Sequence, residues 1–145
     1  MAIRTELSLR LQNSPGSLAR LCQVLGDERI NLLALSLDVN GTLRLIVDNH
    51  IHAAATLREQ HYRVDERDVL YTVMPNQPGA LGKAVRLVAD AGINLDYAYA
   101  TGVESDRMVG VVIGVPDPMR ASSISADISP PSTRFVSRSL PMRRS

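Results

Sequence analysis

The chain has 145 residues, 45% hydrophobic and 21% charged, which is typical of globular proteins and unlike disordered chains. Its longest apolar runs fall far short of the roughly 20 residues that a bilayer span requires, so we expect no membrane partner. Residues 1–119 hold 11 Lys/Arg against 14 Asp/Glu, whereas residues 120–145 hold 5 Arg and 1 Asp. This mildly acidic main part argues against nucleic-acid binding.

The first element is an amphipathic strand. The N-terminal stretch "MAIRTELSLRLQ" alternates and carries charge, which predicts a strand with Leu7, Leu9 and Leu11 on one face and not a signal peptide. We therefore expect a cytoplasmic protein. The single cysteine, Cys22, excludes an internal disulfide framework and a cysteine-based zinc site.

A helix is predicted next. Ser14 stands where it can cap this helix, with Pro15 in the first turn. The apolar stripe of the helix consists of Leu18, Leu21, Cys22 and Leu25. Cys22 on this stripe is interpreted as an inert core thiol.

The rest of the first unit is predicted as two strands, a helix and a closing strand. "INLLALSLDV" is predicted as a strand with Leu33, Leu35, Leu37 and Val39 on one side. Asn40-Gly41 is a two-residue hairpin signal. "TLRLIVD" is the returning strand, "HIHAAATLREQ" has helical composition, and "YRVDE" closes the unit as a separate strand. The order strand, helix, strand, strand, helix, strand is the ferredoxin-like arrangement.

The chain then repeats itself at an offset of 63 residues. "NSPGSLARL" returns as "NQPGALGKA", and Ile30-Asn31-Leu32 returns as Ile93-Asn94-Leu95. "VLYTVM", residues 80–91, "NLDYAYATG" and "MVGVVIGV" are predicted as strand, helix, strand and strand. Asp117 and Pro118 can start a further helix, although the pattern degrades there. This is a tandem duplication, which sets the architecture.

We therefore predict an α+β fold of two tandem ferredoxin-like βαββαβ units with antiparallel sheets, the completeness of the second being left open. The predicted division is 1–67 for the first unit and 68–119 for the core part of the second. Residues 120–145 hold 8 Ser and 3 Pro and are predicted as a weakly structured or disordered tail.

The repeated segments "NSPGSLARLCQVLGDERINL" and "NQPGALGKAVRLVADAGINLDYAYA" resemble the ACT domain, and the pairing resembles stand-alone tandem ACT proteins. The resemblance covers residues 1 to about 117 and implies a ferredoxin-like sensor of small molecules, often amino acids. It implies a non-catalytic regulatory protein whose ligand lies between the Asn-x-Pro-Gly turn and a neighbouring unit. The edges of paired ferredoxin-like sheets invite a homodimer, and ligand binding would act on a regulated metabolic enzyme as partner.

The turn has chemistry that suits such a ligand. The first N–H groups of a helix lack internal acceptors and carry the positive end of the helix dipole, so they can bind a carboxylate. Glycine leaves room for the ligand, and an asparagine amide can orient a carboxylate or an ammonium. The candidate ligand-binding residues are Asn13, Pro15, Gly16, Ser17 and Leu18 in the first copy and Asn76, Pro78, Gly79, Ala80 and Leu81 in the second.

Other readings stay open. A Pro-Gly turn with an asparagine is also an ordinary strand-to-helix connection, so the chain can be a structural or oligomerisation module with no small-molecule ligand. A ferredoxin-like hydrolase would need an arginine cradle that the first turn lacks. We predict no catalytic residues and no cofactor, because the sequence has no phosphate loop, no Gly-x-Gly-x-x-Gly and no nucleophile elbow. We predict no metal, because His50 and His52 do not share a helix face. Tyr97 and Tyr99 alternate and are expected to share a strand face.

Overall fold

The computed structural model describes residues 1–123. Its elements in chain order are β1 (Ala2–Arg10), α1 (Ser17–Asp27), β2 (Leu32–Leu37), β3 (Thr42–Val47), α2 (His50–Glu59), β4 (Asp65–Pro75), α3 (Ala80–Asp90), β5 (Tyr97–Thr101), β6 (Met108–Gly114) and α4 (Pro118–Ser122). They form two compact units: a first unit of residues 4–68, and a second unit of residues 1–3 together with residues 69–123. The division into ACT-like units at residues 1–67 and 68–119 stays a prediction.

The first unit is a sheet with strand order β2-β3-β1-β4 and two helices. Strand β3 pairs antiparallel with both β1 and β2, as the ferredoxin-like prediction requires. Leu7 and Leu9 alternate into the core with exposed fractions of 0% and 4%, which confirms the face predicted for β1. The core around them includes Leu21, Leu25, Leu43, Leu45, Ala53 and Leu57.

In strand β2, Leu35 and Leu37 pair with Leu45 and Leu43, so they share the sheet face of these two core residues. Leu35, Leu37 and Val39 are 38%, 44% and 97% exposed, and Ala34 is the buried residue of the strand. Strand β2 lies at the edge of the unit, so alternation along it need not correspond to burial. The pairing register with β3 also shifts between Leu32 and Ala34.

The predicted two-residue hairpin turn between β2 and β3 is a longer loop. The N–H of Gly41 donates to the carbonyl of Asp38 at 3.0 Å, and the N–H of Asp38 donates to the carbonyl of Thr42 at 3.1 Å. Gly41 has a φ of 86°, whereas Asn40 has no positive φ. The geometry is that of a turn followed by one left-handed residue, in which only the glycine needs positive φ.

The second unit has strand order β1-β4-β6-β5, of which β1 contributes only its first residues, and helices α3 and α4. Strand β6 pairs antiparallel with β4 and with β5. Buried residues of its core include Met1, Leu70, Met74, Ala84, Val88, Ile93, Val111 and Ile113. The rings of Tyr97 and Tyr99 stack with centroids 6.3 Å apart, which confirms their shared face.

Strand β4 is one continuous element, and the prediction of separate strands "YRVDE" and "VLYTVM" is wrong. It runs from Asp65 to Pro75, and the division between the units falls at Asp68 and Val69 within it. The boundary residues Arg67 and Asp68 are neither glycine nor proline, the residues that most often interrupt a strand. The extended backbone can therefore continue through them. One strand therefore ends the first copy of the repeat and begins the second.

The helix predicted at Asp117 is present. The side chain of Asp117 accepts a hydrogen bond from the backbone N–H of Arg120 at 3.1 Å, and Pro118 lies in the first turn of α4. Helix α4 takes in residues 120–122 of the predicted tail. The remainder of that tail, residues 124–145, lies outside the described residues.

Candidate functional site

The first Asn-x-Pro-Gly turn begins α1 with a left-handed glycine. Gly16 has a φ of 84°, and a Cβ placed on it would have no atom within 4 Å. The conformation therefore favours glycine at this position even though space for a side chain exists. The open space beside Gly16 is where a ligand can approach the backbone.

The predicted capping role of Ser14 is wrong. The N-cap of α1 is Gly16, without a side-chain cap hydrogen bond, and the helix begins at Ser17, after Pro15. Because Gly16 is left-handed, Pro15 cannot belong to the first helical turn. The hydroxyls of Ser14 and Ser17 instead lie 2.7 Å apart, and the N–H of Ser17 donates to the carbonyl of Ser14 at 3.2 Å.

Three backbone donors remain at this helix start. Among the residues that the structure describes, the N–H groups of Gly16, Leu18 and Ala19 have no hydrogen-bond acceptor. They carry the partial positive charge of the helix terminus. The side-chain amide of Asn13 likewise makes no hydrogen bond within residues 1–123. The turn thus presents donors, and an asparagine carbonyl acceptor, that a ligand could use.

A cavity of about 370 Å³ adjoins these groups, and we call it the first-turn cavity. It lies wholly within the first unit. The predicted residues that line it are Asn13, Gly16, Ser17 and Leu18, whereas Pro15 does not. Sequence reasoning missed its other walls, which are Leu11, Leu37, Asp38, Val39 and Gly41.

The loop between β2 and β3 forms the missed wall. The carboxylate oxygen Oδ1 of Asp38 accepts from the N–H groups of Asn40 and Thr42 at 2.9 and 3.0 Å, which fixes the loop. Oxygen Oδ2 of the same carboxylate lies 3.8 Å from Nη1 of Arg44. The Asn40-Gly41 signal predicted a loop here, but nothing local in the sequence says that the loop reaches the first turn.

The second turn repeats the backbone of the first. Gly79 has a φ of 87°, and the N–H of Ala80 donates to the carbonyl of Gln77 at 3.3 Å. The N–H groups of Gly79, Leu81 and Gly82 have no acceptor among residues 1–123. The duplicated sequence therefore gives the same helix start twice, with Pro78 immediately before the glycine.

The side chains of the two turns differ. The Nδ2 group of Asn76 donates to the carbonyls of Glu104 and Asp106 at 3.1 and 2.9 Å, which holds the loop between β5 and β6. Asn13 makes no such bond within the described part of the chain. The loop that Asn76 holds, residues 102–107, is also longer than the loop of residues 38–41.

His52, in the first unit, contacts an acidic side chain. His52 Nε2 lies 3.0 Å from Glu28 Oε1, on the exposed surface. Within residues 1–123, no group of three or more His, Cys, Asp and Glu side chains is arranged to hold a metal ion. In the same range no helix has the length and hydropathy of a membrane span.

A family model described as an ACT domain pair matches residues 1–123. The chain belongs to this family. The predicted family and the predicted fold class of paired ACT-like units are both confirmed. No curated protein matches the chain.

Solved structures share the fold of this ACT domain pair. Protein BT0572 from Bacteroides thetaiotaomicron is 30% identical, with a TM-score of 0.79 over 86% of this chain and 88% of that one. The ligand-free regulatory subunit of aspartate kinase from Thermus thermophilus is 18% identical, with a TM-score of 0.63 over 87% and 93%.

A longer enzyme contains a similar part. Aspartokinase III from E. coli, in complex with lysine and aspartate, is 17% identical with a TM-score of 0.55. The match covers 88% of this chain and 32% of the enzyme. At this identity the likeness shows the fold alone.

Proposed function

We propose that this ACT domain pair is a non-catalytic regulatory protein that binds an amino acid in the first-turn cavity. One observation supports this most: a single cavity of about 370 Å³ is lined by three groups of atoms. These are the backbone N–H groups at the start of α1 that have no acceptor within residues 1–123, the side-chain amide of Asn13, and aliphatic side chains. That volume lies at the small end of the about 300–1,000 Å³ usual for small-molecule pockets. The fold shared with aspartate kinase regulatory subunits supports the same class of function.

The carboxylate of the amino acid would bind at the start of α1. The N–H groups of Gly16, Leu18 and Ala19 supply donors there, and the helix dipole favours a negative charge. Gly16 has open space beside it, so the carboxylate can come close to the backbone.

The ammonium group would bind on the other side of the cavity. The carboxylate of Asp38 lines it and supplies a negative charge, and the amide oxygen of Asn13 is a further acceptor. Because one Asp38 oxygen is already used by the loop, the ammonium would bind the second oxygen, beside Arg44.

The side chain of the ligand would contact aliphatic groups. Leu11, Leu18, Leu37 and Val39 line the cavity, and Val39 is 97% exposed without a ligand. Covering such groups removes apolar surface from water, which stabilises binding of an aliphatic amino acid more than of a charged one. Valine, leucine and isoleucine are therefore the expected ligands.

Regulation would follow because the bound ligand contacts two parts of the first unit at once. A ligand that contacts both the start of α1 and the loop at Asp38–Gly41 favours conformations in which these lie close together. A metabolic enzyme that recognises one of these conformations would then respond to the amino acid. We propose such an enzyme as partner and the cytoplasm as location.

The second turn is proposed as a further site. Asn76, Pro78, Gly79, Ala80 and Leu81 form the same helix start, but the Asn76 amide is already bound to Glu104 and Asp106. A carboxylate there would depend on backbone donors alone. The two sites are therefore expected to differ in affinity.

The test is a titration of the 20 amino acids by isothermal calorimetry and thermal shift. We expect the aliphatic amino acids to stabilise the protein, and Asn13→Ala to weaken binding more than the matched Asn76→Ala. If none of the 20 stabilises the protein at millimolar concentration, amino-acid binding is wrong.

An oligomerisation module without a ligand is the alternative, and the edge strand β2 favours it. An edge strand exposes unpaired backbone groups, and here Leu35 and Leu37 are also exposed. This alternative predicts a homodimer whose stability is unchanged by every amino acid and by Asn13→Ala, which sedimentation velocity would measure.

A further inference from the structure

A second cavity in the first unit, of about 600 Å³, shares no residue with the first-turn cavity. We call it the arginine cavity. Residues from the ends of β1, β3 and β4 and from the loop before β4 line it, among them Ser8, Arg10, Thr42, His61, Arg63 and Asp65. The proposed amino-acid site does not use any of them.

Strand pairing places the first arginine. Arg10 pairs with Thr42 across β1 and β3, so their side chains share one sheet face. Leu9, the neighbour of Arg10, points into the core, and alternation therefore directs Arg10 and Ser8 to the opposite face. The side chains of Arg10, Ser8 and Thr42 thus share the face away from the core. Leu9 and Tyr62, from the core side, also line the cavity, which therefore lies at the strand ends and not on one face alone.

Helix α2 and its following loop place the second arginine. His61 has a φ of 71°, and its N–H donates to the carbonyl of Arg58 at 3.0 Å. Nη2 of Arg58 donates to the carbonyl of Val64 at 2.8 Å and to Glu66 Oε2 at 3.2 Å. With Tyr62 packed against the core, the loop that carries Arg63 is held at both ends.

The charge of the cavity is positive. Within residues 1–123, neither Arg10 nor Arg63 makes an ion pair or a side-chain hydrogen bond. Asp65 is the acidic group that lines the cavity with them. Two guanidinium groups against one carboxylate leave a net positive charge, and guanidinium binds phosphate and carboxylate oxygens in pairs.

We propose that the arginine cavity binds a small dianion, a phosphate or a dicarboxylate, between Arg10 and Arg63. The hydroxyls of Ser8 and Thr42 donate to its remaining oxygens. Where a ligand also carries a hydroxyl or amino group, the carboxylate of Asp65 can accept a hydrogen bond from it. The site is separate from the first turn and does not depend on the proposed amino-acid function.

The experiment is a titration of the ¹⁵N-labelled protein with inorganic phosphate and, separately, with succinate, at constant ionic strength set with sodium chloride. We expect saturable shifts of the amides of Ser8, Thr42 and His61 with at least one of the two probes. The probe that binds more tightly identifies phosphate or dicarboxylate as the ligand class. Shifts that follow ionic strength alone would overturn the proposal.

Two variants and a control complete the test. Arg10→Gln and Arg63→Gln should each weaken binding about tenfold or more, as expected when a charged hydrogen bond is lost. Lys83→Gln removes one positive charge from the exposed surface of α3 and should leave the affinity unchanged. An equal loss in all three variants, or none in the arginine variants, contradicts the proposal. Asn13→Ala should leave phosphate and succinate binding intact, which separates this site from the amino-acid site.

Discussion

The backbone N–H of Leu11 donates a hydrogen bond of 2.7 Å to the carbonyl of Gly41. This bond joins the end of β1 to the loop between β2 and β3, and both residues line the first-turn cavity. The shape of the cavity therefore depends on how closely Gly41 approaches Leu11.

Gly41→Ala should disturb that approach. An added Cβ would lie 2.8 Å from the Leu11 carbonyl oxygen, and the φ of 86° is strained for any residue with a Cβ. We expect a loss of about 1–3 kcal/mol in the free energy of unfolding, together with weaker amino-acid binding. Urea denaturation and calorimetry measure the two effects.

Gly26→Ala is the control for that substitution. Gly26 lies in α1, and a Cβ on it has no neighbour within 4 Å. Alanine there should stabilise the protein by about 0.5–1 kcal/mol. If both alanine variants change the free energy of unfolding equally, the contact between Gly41 and Leu11 does not explain the effect of Gly41→Ala.

Replacing Asn76 by alanine should lower the free energy of unfolding, whereas replacing Asn13 by alanine should mainly weaken amino-acid binding. Asn76→Ala removes two hydrogen bonds, to Glu104 and Asp106, and should lower the free energy of unfolding by about 1–2 kcal/mol. Asn13→Ala removes none within the described residues and should be close to neutral. Denaturant midpoints compare the two, and a larger loss for Asn13 would contradict the difference between the turns.

Val39 should matter for ligand choice and not for folding. Its side chain is 97% exposed, so Val39→Ser should change the free energy of unfolding by no more than about 0.5 kcal/mol. Binding of aliphatic amino acids should weaken several-fold to about tenfold through lost apolar contact. Val103→Ser, in the loop after β5 and 62% exposed, is the matched control and should leave the affinity unchanged.

Leu57 tests the core of the first unit. It is fully buried in α2, so Leu57→Ala should cost about 2–5 kcal/mol of unfolding free energy. Leu81→Ala, at a residue that is 48% exposed in α3, should cost far less. Thermal and urea denaturation give both values, and similar losses would mean that burial does not set the stability here.

The repeat made much of the fold predictable. Two copies of one pattern in register indicated the element order, the family and the turn residues, because hydrophobic periodicity and turn chemistry are local properties. Gly16 and Gly79 are examples, since both precede a helix in the repeated pattern and both have the left-handed conformation.

The walls of the cavity were not predictable in the same way. Leu37 alternates as buried strand residues do, yet it is exposed because β2 is the edge strand, which is a property of the assembled sheet. Val39 lies beyond the end of β2, in the loop before β3. The capping role of Ser14 failed for a related reason, because one left-handed glycine moved the helix start past it. The repeat predicts a boundary between residues 67 and 68, whereas β4 runs through this point as one strand.

The course of β4 has a consequence for how the chain can be divided. Gene duplication supplied two copies, yet the boundary between the copies falls inside a strand, and Met1 is buried in the core of the second unit. A cut between residues 67 and 68 would sever that strand and would leave the second copy without Met1. Neither copy therefore keeps both its complete strand and its complete core when the chain is divided at the boundary of the repeat.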